Sequence, residues 1–329
     1  FAENFGTLGY FKYADFGLEN ARAVFALFGF SVELPRMDLL LPIGLSFHVF
    51  QSFAYVVEVL SGRIAPCRSF LLYALYVSWF PQLVAGPIER PDRLMPQLAR
   101  IEGTREGFAS RLPHAAALFA EGWIRKMAAD VISTTADAFF DAPAGASTSD
   151  AVFGIVAFGL QIYGDFSGYS RMAQGASHAL GVDLMENFDR PYWARSFRDF
   201  WRRWHISLST WFRDFVYIPL GGSRSGPARE RANIVATMLL SALWHGAGWT
   251  FILWGAMHAA FMVLESMTRP FWRWAPAALT RPLVWVAVFL AWVPFRATDF
   301  GSVVECYRAL GNGGWAPPTL AFVFGAKLL

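Results

Sequence analysis

The chain has 329 residues, of which 55% are hydrophobic and only 16% are charged. Soluble domains carry about 25% charged residues, and the apolar residues here come in long blocks, so the composition excludes an ordinary soluble domain or a disordered segment and favours an integral membrane protein. The net charge of +3 gives no support for nucleic-acid binding. Cys67 and Cys306 are the only cysteines and form no motif, so neither a disulfide framework nor a thiolate metal site is predicted.

Long apolar segments follow one another along the chain, and each is a candidate membrane-spanning helix because about 20 apolar residues cross a bilayer core. Several are short or are interrupted by Gly and Pro, which is tolerated where neighbouring helices or a cavity satisfy the freed backbone groups. The pattern predicts an all-α, multi-pass transmembrane bundle that includes re-entrant or interfacial helices. The candidate segments are 39–60, 70–85, 112–132, 152–163 continuing towards 180, 234–244, Trp249–Met267 and 283–294.

Arginine placement predicts the orientation of these segments. The loops 87–111 and 269–281 carry five and three arginines, whereas the stretch 133–150 carries none and is acidic. By the positive-inside rule the first two loops are cytoplasmic and the third is external. Segment 70–85 then lacks a clear crossing, and both a span and a re-entrant segment stay open. The sequence begins at Phe1 and ends within the apolar "TLAFVFGAKLL", so we expect one membrane domain over 1–329 that lacks spanning helices at one or both ends.

The stretch "WRRWHISLSTWFRDF", residues 201–215, concentrates aromatic and charged residues in an otherwise apolar chain. Wound as one helix, it has a wide apolar face and charged flanks, which predicts an amphipathic helix that lies at the cytoplasmic interface or dips into the protein. His205 is the anomaly, because it is an ionisable ring on the apolar face. An alternative is a plain surface helix whose arginines bind lipid headgroups. The apolar arc comprises Trp201, Trp204, His205, Leu208, Phe212 and Phe215, with Trp211 at its edge.

A second histidine ends a polar stripe on the hydrophobic helix that follows. Asn233, Thr237, Ser241 and His245 recur every four residues and therefore share one face. If the helix enters the bilayer near Arg231, His245 lies roughly 20 Å along it and deep in the membrane. A histidine at that depth indicates a functional site, with interhelical hydrogen bonding as the alternative. His258 on the next helix is expected to pack, and no metal-binding or cofactor-binding signature occurs.

Several blocks resemble the membrane-bound O-acyltransferase family, and most closely its bacterial alginate O-acetyltransferase branch. The blocks are "PQLVAGPIERP", "QIYGDFSGYSRMAQGASHALGVDLMENFDRPY", "FRDFWRRWHISLSTWFRDFVYIPLGG" and "LWHGAGWTFILWGAMHA", in family order. The resemblance implies a helical bundle around a central channel in the bacterial inner membrane. It also implies that His205 and His245 are the two functional histidines, since they match the family's positions.

The resemblance leads to a specific functional hypothesis. An acetyl group would pass from a cytoplasmic thioester donor, such as acetyl-CoA, to hydroxyls of an exported, alginate-like polysaccharide. Transfer would be direct or through extracytoplasmic acetyltransferase partner proteins. His245 would be the base and His205, at the cytoplasmic channel mouth, would position the donor. The alternatives are a transporter or channel with proton-carrying histidines and a carrier-protein-dependent acyltransferase of wall polymers. The substrate-binding candidates are Trp201, Arg202, Trp204, Trp211, Arg213, Asp214, Asn233 and Ser241.

Overall fold

A computed structural model describes residues 2–83, 86–101 and 105–315. This described part contains helices and no β-strand, which confirms the all-α prediction. Short π-helical turns at Gly9–Tyr13 and Arg213–Tyr217 and a 3₁₀ turn at Pro191–Trp193 interrupt the α-helices. The α-helices are α1 (Ala2–Leu8), α2 (Ala14–Leu27), α3 (Leu45–Leu60), α4 (Phe70–Val77), α5 (Pro91–Leu98), α6 (Arg105–Phe140), α7 (Thr148–Ala179), α8 (Phe197–Arg203), α9 (Ile206–Phe212), α10 (Pro227–His245), α11 (Trp249–Met267), α12 (Arg269–Trp274), α13 (Ala277–Arg296) and α14 (Phe300–Ala309).

Three of these helices, α7, α11 and α13, are long and apolar enough to cross a membrane. The predicted span Trp249–Met267 coincides with α11. In the described part of the predicted span 70–85, only the eight residues of α4 are α-helical, and their length of about 12 Å is too short to cross a bilayer core. Val84 and Ala85 of that span, and the terminal "TLAFVFGAKLL", lie outside the described residues.

Helices α6 and α7 form a tightly packed antiparallel hairpin. The backbones approach closely at glycines of α7: a Cβ on Gly168 would lie 2.7 Å from the carbonyl oxygen of Gly122, and one on Gly175 would lie 2.7 Å from that of Ala115. Only glycine permits this approach, because any side chain would drive the two helices apart. The hairpin supplies a long wall against which α13 packs through Phe289, whose ring would lie 2.4 Å from a Cβ on Gly159.

Ion pairs mark the two ends of the bundle. At one end Glu230, in the first turn of α10, accepts from Arg198 at 2.7 Å and from Arg269 at 2.5 Å. At the other end Arg296 of α13 pairs with Asp137 of α6 at 3.0 Å. Arg296 and Asp137 lie near the C-terminal ends of α13 and α6, so the arginine-rich loops before these two helices fall at the opposite end of the bundle from the acidic stretch 133–150. This separation agrees with the arrangement that the positive-inside rule predicts.

Candidate functional site

The chain breaks its helix at His205, so the prediction of one continuous helix over 201–215 is wrong. Helix α8 ends at Arg203, α9 begins at Ile206, and His205 has the left-handed backbone conformation, with φ of 44°. Two backbone bonds from a distant segment hold the break: the N–H of Asp189 donates to Arg203 O and the N–H of Ile206 donates to Asn187 O, both at 2.9 Å. An unpaired backbone group costs free energy in a buried site. The gain from making these two bonds therefore outweighs the cost of a non-glycine residue in the left-handed region.

Asn187 also orients the His205 side chain. Its amide oxygen lies 3.2 Å from His205 Nδ1 and accepts from the Ser207 hydroxyl at 2.9 Å, while its amide nitrogen donates to Ser170 Oγ at 3.2 Å. The backbone N–H of Ser207 also donates to this amide oxygen, at 3.3 Å, which fixes the orientation of the amide. Nδ1 of His205 therefore carries the proton, and Nε2 is left as an acceptor. The sequence reasoning missed Asn187; the signal was its place in the quoted block "VDLMENFDRPY", eighteen residues before the histidine.

His245 is the last residue of α10 and lies beside His205. The two ring centroids are 6.5 Å apart, and the His245 ring packs edge-on against Trp244 at 4.9 Å and Trp254 at 5.0 Å. In the described part of the chain, neither nitrogen of His245 has a hydrogen-bond partner. His205 is only 1% exposed. The two imidazoles therefore lie together inside the protein. The expected position of His205 at a channel mouth stays a prediction.

A cavity of about 410 Å³ opens beside this histidine pair. Ser241, one helical turn before His245, lines it, as does Ile206, which follows His205; neither histidine ring is itself part of the wall. Four of the predicted substrate-binding residues contribute: Trp201, Arg202, Arg213 and Ser241. The remaining wall combines apolar and hydroxyl side chains with one more arginine and consists of Arg198, Ile206, Leu208, Ser209, Thr210, Phe212, Tyr217, Ile234, Thr237, Met238 and Met262.

The other four substrate-binding candidates do not line this cavity, and each makes a contact within the protein. Trp204 packs on Trp292 in the core, with 5.0 Å between the ring centroids. Trp211 stacks on Phe50 and donates to the Phe50 carbonyl at 3.1 Å. Asp214 pairs with Arg90 at 2.9 Å, and Asn233 donates to the Gly222 carbonyl at 3.0 Å. A substrate contact stays a prediction for all four residues.

A second cavity, of about 520 Å³, adjoins the first and shares Arg198 and Arg202 with it. Its wall contains five arginines but only two carboxylates, Asp199 and Glu265. Guanidinium groups are common ligands of phosphates and other anions, and two of these arginines, Arg198 and Arg269, also pair with Glu230. Within the described residues, no three His, Cys, Asp or Glu side chains are grouped as metal ligands. The five arginines are Arg195, Arg198, Arg202, Arg269 and Arg273.

Comparison with known proteins supports one family. The sequence profile of the membrane-bound O-acyltransferase family matches residues 67–295. A protein named probable alginate O-acetylase, from Azotobacter vinelandii, is 42% identical over 94% of this chain and 61% of its own length. The peptidoglycan O-acetyltransferase of Helicobacter pylori is 32% identical over 93% of this chain and 63% of its own length. The teichoic acid D-alanyltransferase of Bacillus subtilis is 24% identical over 81% of this chain and 69% of its own length.

The chain spans somewhat over 60% of the length of the first two relatives. The profile match covers more than two thirds of the chain and contains both histidine blocks, "RWHIS" and "LWHG". The family resemblance in the sequence is thereby confirmed, and the chain belongs to the membrane-bound O-acyltransferase family.

Proposed function

We propose that the protein is a multi-pass O-acyltransferase of the bacterial inner membrane. It moves an acetyl group from a thioester donor on the cytoplasmic side to hydroxyl groups of an exported, alginate-like polysaccharide. The single observation that carries this proposal is the buried pair His205 and His245, 6.5 Å apart beside an arginine-lined cavity. A 42% identical relative bears the name of an alginate O-acetylase, and less similar relatives are named for other acyl transfers to cell-wall polymers.

The two adjoining cavities fit the two halves of a thioester donor. The first cavity is largely apolar but carries hydroxyl groups, which suits an acyl-pantetheine chain. The second is polar and rich in arginine, which suits the phosphates at the other end of such a donor. Arg198 and Arg202 line both cavities and join them. This end of the bundle is also the end that the positive-inside rule assigns to the cytoplasm, where acetyl-CoA and acyl carriers are made.

The histidine pair supports a general-base mechanism. One neutral imidazole accepts the proton of the acceptor hydroxyl while that oxygen bonds to the acyl carbon. The carbon–sulfur bond then breaks, and the thiolate takes up a proton as it leaves. We assign the base to His245, whose nitrogens have no competing partner within the described residues, and the positioning of the donor to His205. His205 Nε2 is a free acceptor as well, so the geometry alone is compatible with either histidine as the base. A substitution must distinguish the two assignments.

Direct transfer to the polymer and transfer through an extracytoplasmic acetyltransferase partner use the same first step. A transporter or channel with proton-carrying histidines has no need of an arginine-rich cavity beside the pair. A carrier-protein-dependent transferase of wall polymers differs only in donor and acceptor, and the relatives named for such polymers are less similar to this chain than the 42% identical one. The alginate-like acceptor is therefore the form of the proposal that we favour.

Replacing His245 by Ala tests the proposal. We expect acetyl incorporation into polymer to fall about 10²–10⁴-fold, the usual effect of removing a general base, while the protein still inserts at normal abundance. The measurement is polymer-bound acetate in cells that express each variant at matched protein level.

His258→Leu is the matched control. His258 is fully buried, and neither of its ring nitrogens has a partner in the described part of the chain. An apolar residue of similar volume then removes two unsatisfied groups, so stability and acetylation should stay near normal. Normal acetylation by His245→Ala would reject the base assignment, whereas equal loss in both variants would assign both histidines to packing.

A further inference from the structure

The segment before α2 contacts the end of α10 on which His245 stands. Tyr13 Oη donates to the carbonyl oxygen of Leu243 at 2.7 Å, and Lys12 Nζ donates to the carbonyl oxygen of Trp244. The Lys12 ammonium also lies 5.6 Å from the centroid of the Trp244 ring. These two carbonyls are the last before His245. Side chains more than 200 residues away in sequence therefore hold the final turn of this helix.

The final turn needs such partners because a helix leaves its last four carbonyls without intrahelical donors. Gly246 is extended and ends α10, and its N–H bonds only the carbonyl of Ala242, at 3.2 Å. Beyond the turn, the indole N–H of Trp249 donates to Asn20 of α2 at 2.9 Å. The N-terminal segment thus contacts the chain both before His245, at the carbonyls of Leu243 and Trp244, and after it, at Trp249.

Lys12 also sets the charge around His245. A helix C-terminus carries about half a negative elementary charge, which favours a cation nearby and would favour a protonated imidazole. Lys12 supplies that cation. Among the described residues, the other titratable side chains near His245 are Tyr13 on the segment of Lys12, His205, whose ring centroid is 6.5 Å away, and His258, which contacts Trp254. Since His205 and His258 are buried imidazoles and Tyr13 carries no charge, burial is the main reason why His245 stays in its neutral, proton-accepting form, and the positive charge of Lys12 adds to that effect.

We infer that Lys12 and Tyr13 are positioning residues for His245, fixing its backbone and placing a positive charge beside its ring without touching the substrate. This inference rests on the proposed role of His245 as the base. It predicts a defect in turnover rather than in donor binding, and the defect should follow the charge at position 12.

The experiment compares Lys12→Gln, Lys12→Arg and Tyr13→Phe in the full protein. For Lys12→Gln we expect kcat to fall at least about tenfold, with the donor KM changed less than about twofold, and the acid limb of the pH profile to move to higher pH. Lys12→Arg keeps a hydrogen-bond donor and the positive charge at this position and should recover most of the activity. Tyr13→Phe should lower kcat a few-fold, and Tyr10→Phe is its matched control because Tyr10 is exposed.

A second readout separates this inference from the proposed function. Diethyl pyrocarbonate modifies neutral imidazoles, so the pH at which His245 is half-maximally modified, followed by peptide mass spectrometry, reports its protonation without any transfer assay. That pH should rise in Lys12→Gln and stay in place in Lys12→Arg. An unchanged modification profile in Lys12→Gln overturns the inference even if transfer is lost. If Lys12→Gln does not accumulate, the kcat of Tyr13→Phe decides, and a value equal to that of Tyr10→Phe overturns the inference.

Discussion

Glu89 is a buried carboxyl whose protonation should make the stability of the protein depend on pH. It follows the turn after α4, its side chain is fully buried, and it pairs with Arg93 at 3.2 Å and accepts from the backbone N–H of Met185. Its second carboxyl oxygen has no partner in the described residues. Burial is the largest effect and raises the pKa of Glu89 from its ordinary 4.5 to about 7, against the opposing attraction of Arg93.

The sign of the effect follows from linkage. Between pH 4.5 and 7 the folded protein binds a proton at Glu89 that the unfolded chain has released, so the free energy of unfolding falls as pH rises through this window. A rise of about 2.5 pKa units at about 1.4 kcal/mol each corresponds to about 3 kcal/mol. Glu89→Gln cannot ionise, so this dependence should disappear from the variant.

The assay is thermal unfolding in detergent at matched protein concentration, from pH 4.5 to 8. Glu89→Gln should gain up to about 3 kcal/mol on the native protein across that range, and most of the gain should appear between pH 5 and 7. Curves that stay parallel at every pH would refute the reasoning, because they would mean that Glu89 ionises alike in the folded and unfolded chains.

Two further predictions concern the 410 Å³ cavity beside the histidine pair and the α6–α7 hairpin. Arg202→Gln and Arg213→Gln should each raise the donor KM several-fold and weaken its dependence on salt, measured in reconstituted membranes; an unchanged donor affinity would make these arginines lipid-headgroup anchors. Gly168→Ala should cost about 1–3 kcal/mol in thermal unfolding, because its Cβ would lie 2.7 Å from the Gly122 carbonyl oxygen, whereas Gly17→Ala, which meets nothing within 4 Å, should be neutral.

Apolar length and arginine placement were sufficient to predict much of the bundle. The run from Trp249 to Met267 is α11 because its length and composition match a spanning helix and Gly248 precedes it. The distribution of arginines predicted which loops share one end. The apolar length of a segment and the number of arginines in a loop depend only on the local sequence, so both can be read from a single chain. The polar stripe on α10 was equally readable, and two of its members, Thr237 and Ser241, line the cavity beside His245.

The histidine pair could not be assembled from periodicity. The apolar arc over 201–215 is real, since Trp204, Leu208 and Phe212 are all buried, yet the helix that would carry it breaks at His205. The break depends on backbone bonds from the segment that contains Asn187, which helical spacing does not register. Two short helices and one long helix would both bury the surrounding aromatic side chains, so the apolar pattern does not distinguish between them. Only the distant partner decides between them.

Both histidines stand at helix discontinuities, and this placement has a physical reason. The backbone hydrogen bonds of a residue in mid-helix are made within the helix, so its side chain can change position only by changing its rotamer. A residue at a break exposes backbone groups that a buried site must satisfy from elsewhere. At His205 the partner is the segment of Asn187; at His245 it is Lys12 and Tyr13. Each imidazole is therefore fixed by a remote segment as well as by its own helix. It follows that substitutions in those segments should impair turnover while both histidines and the cavity wall stay intact.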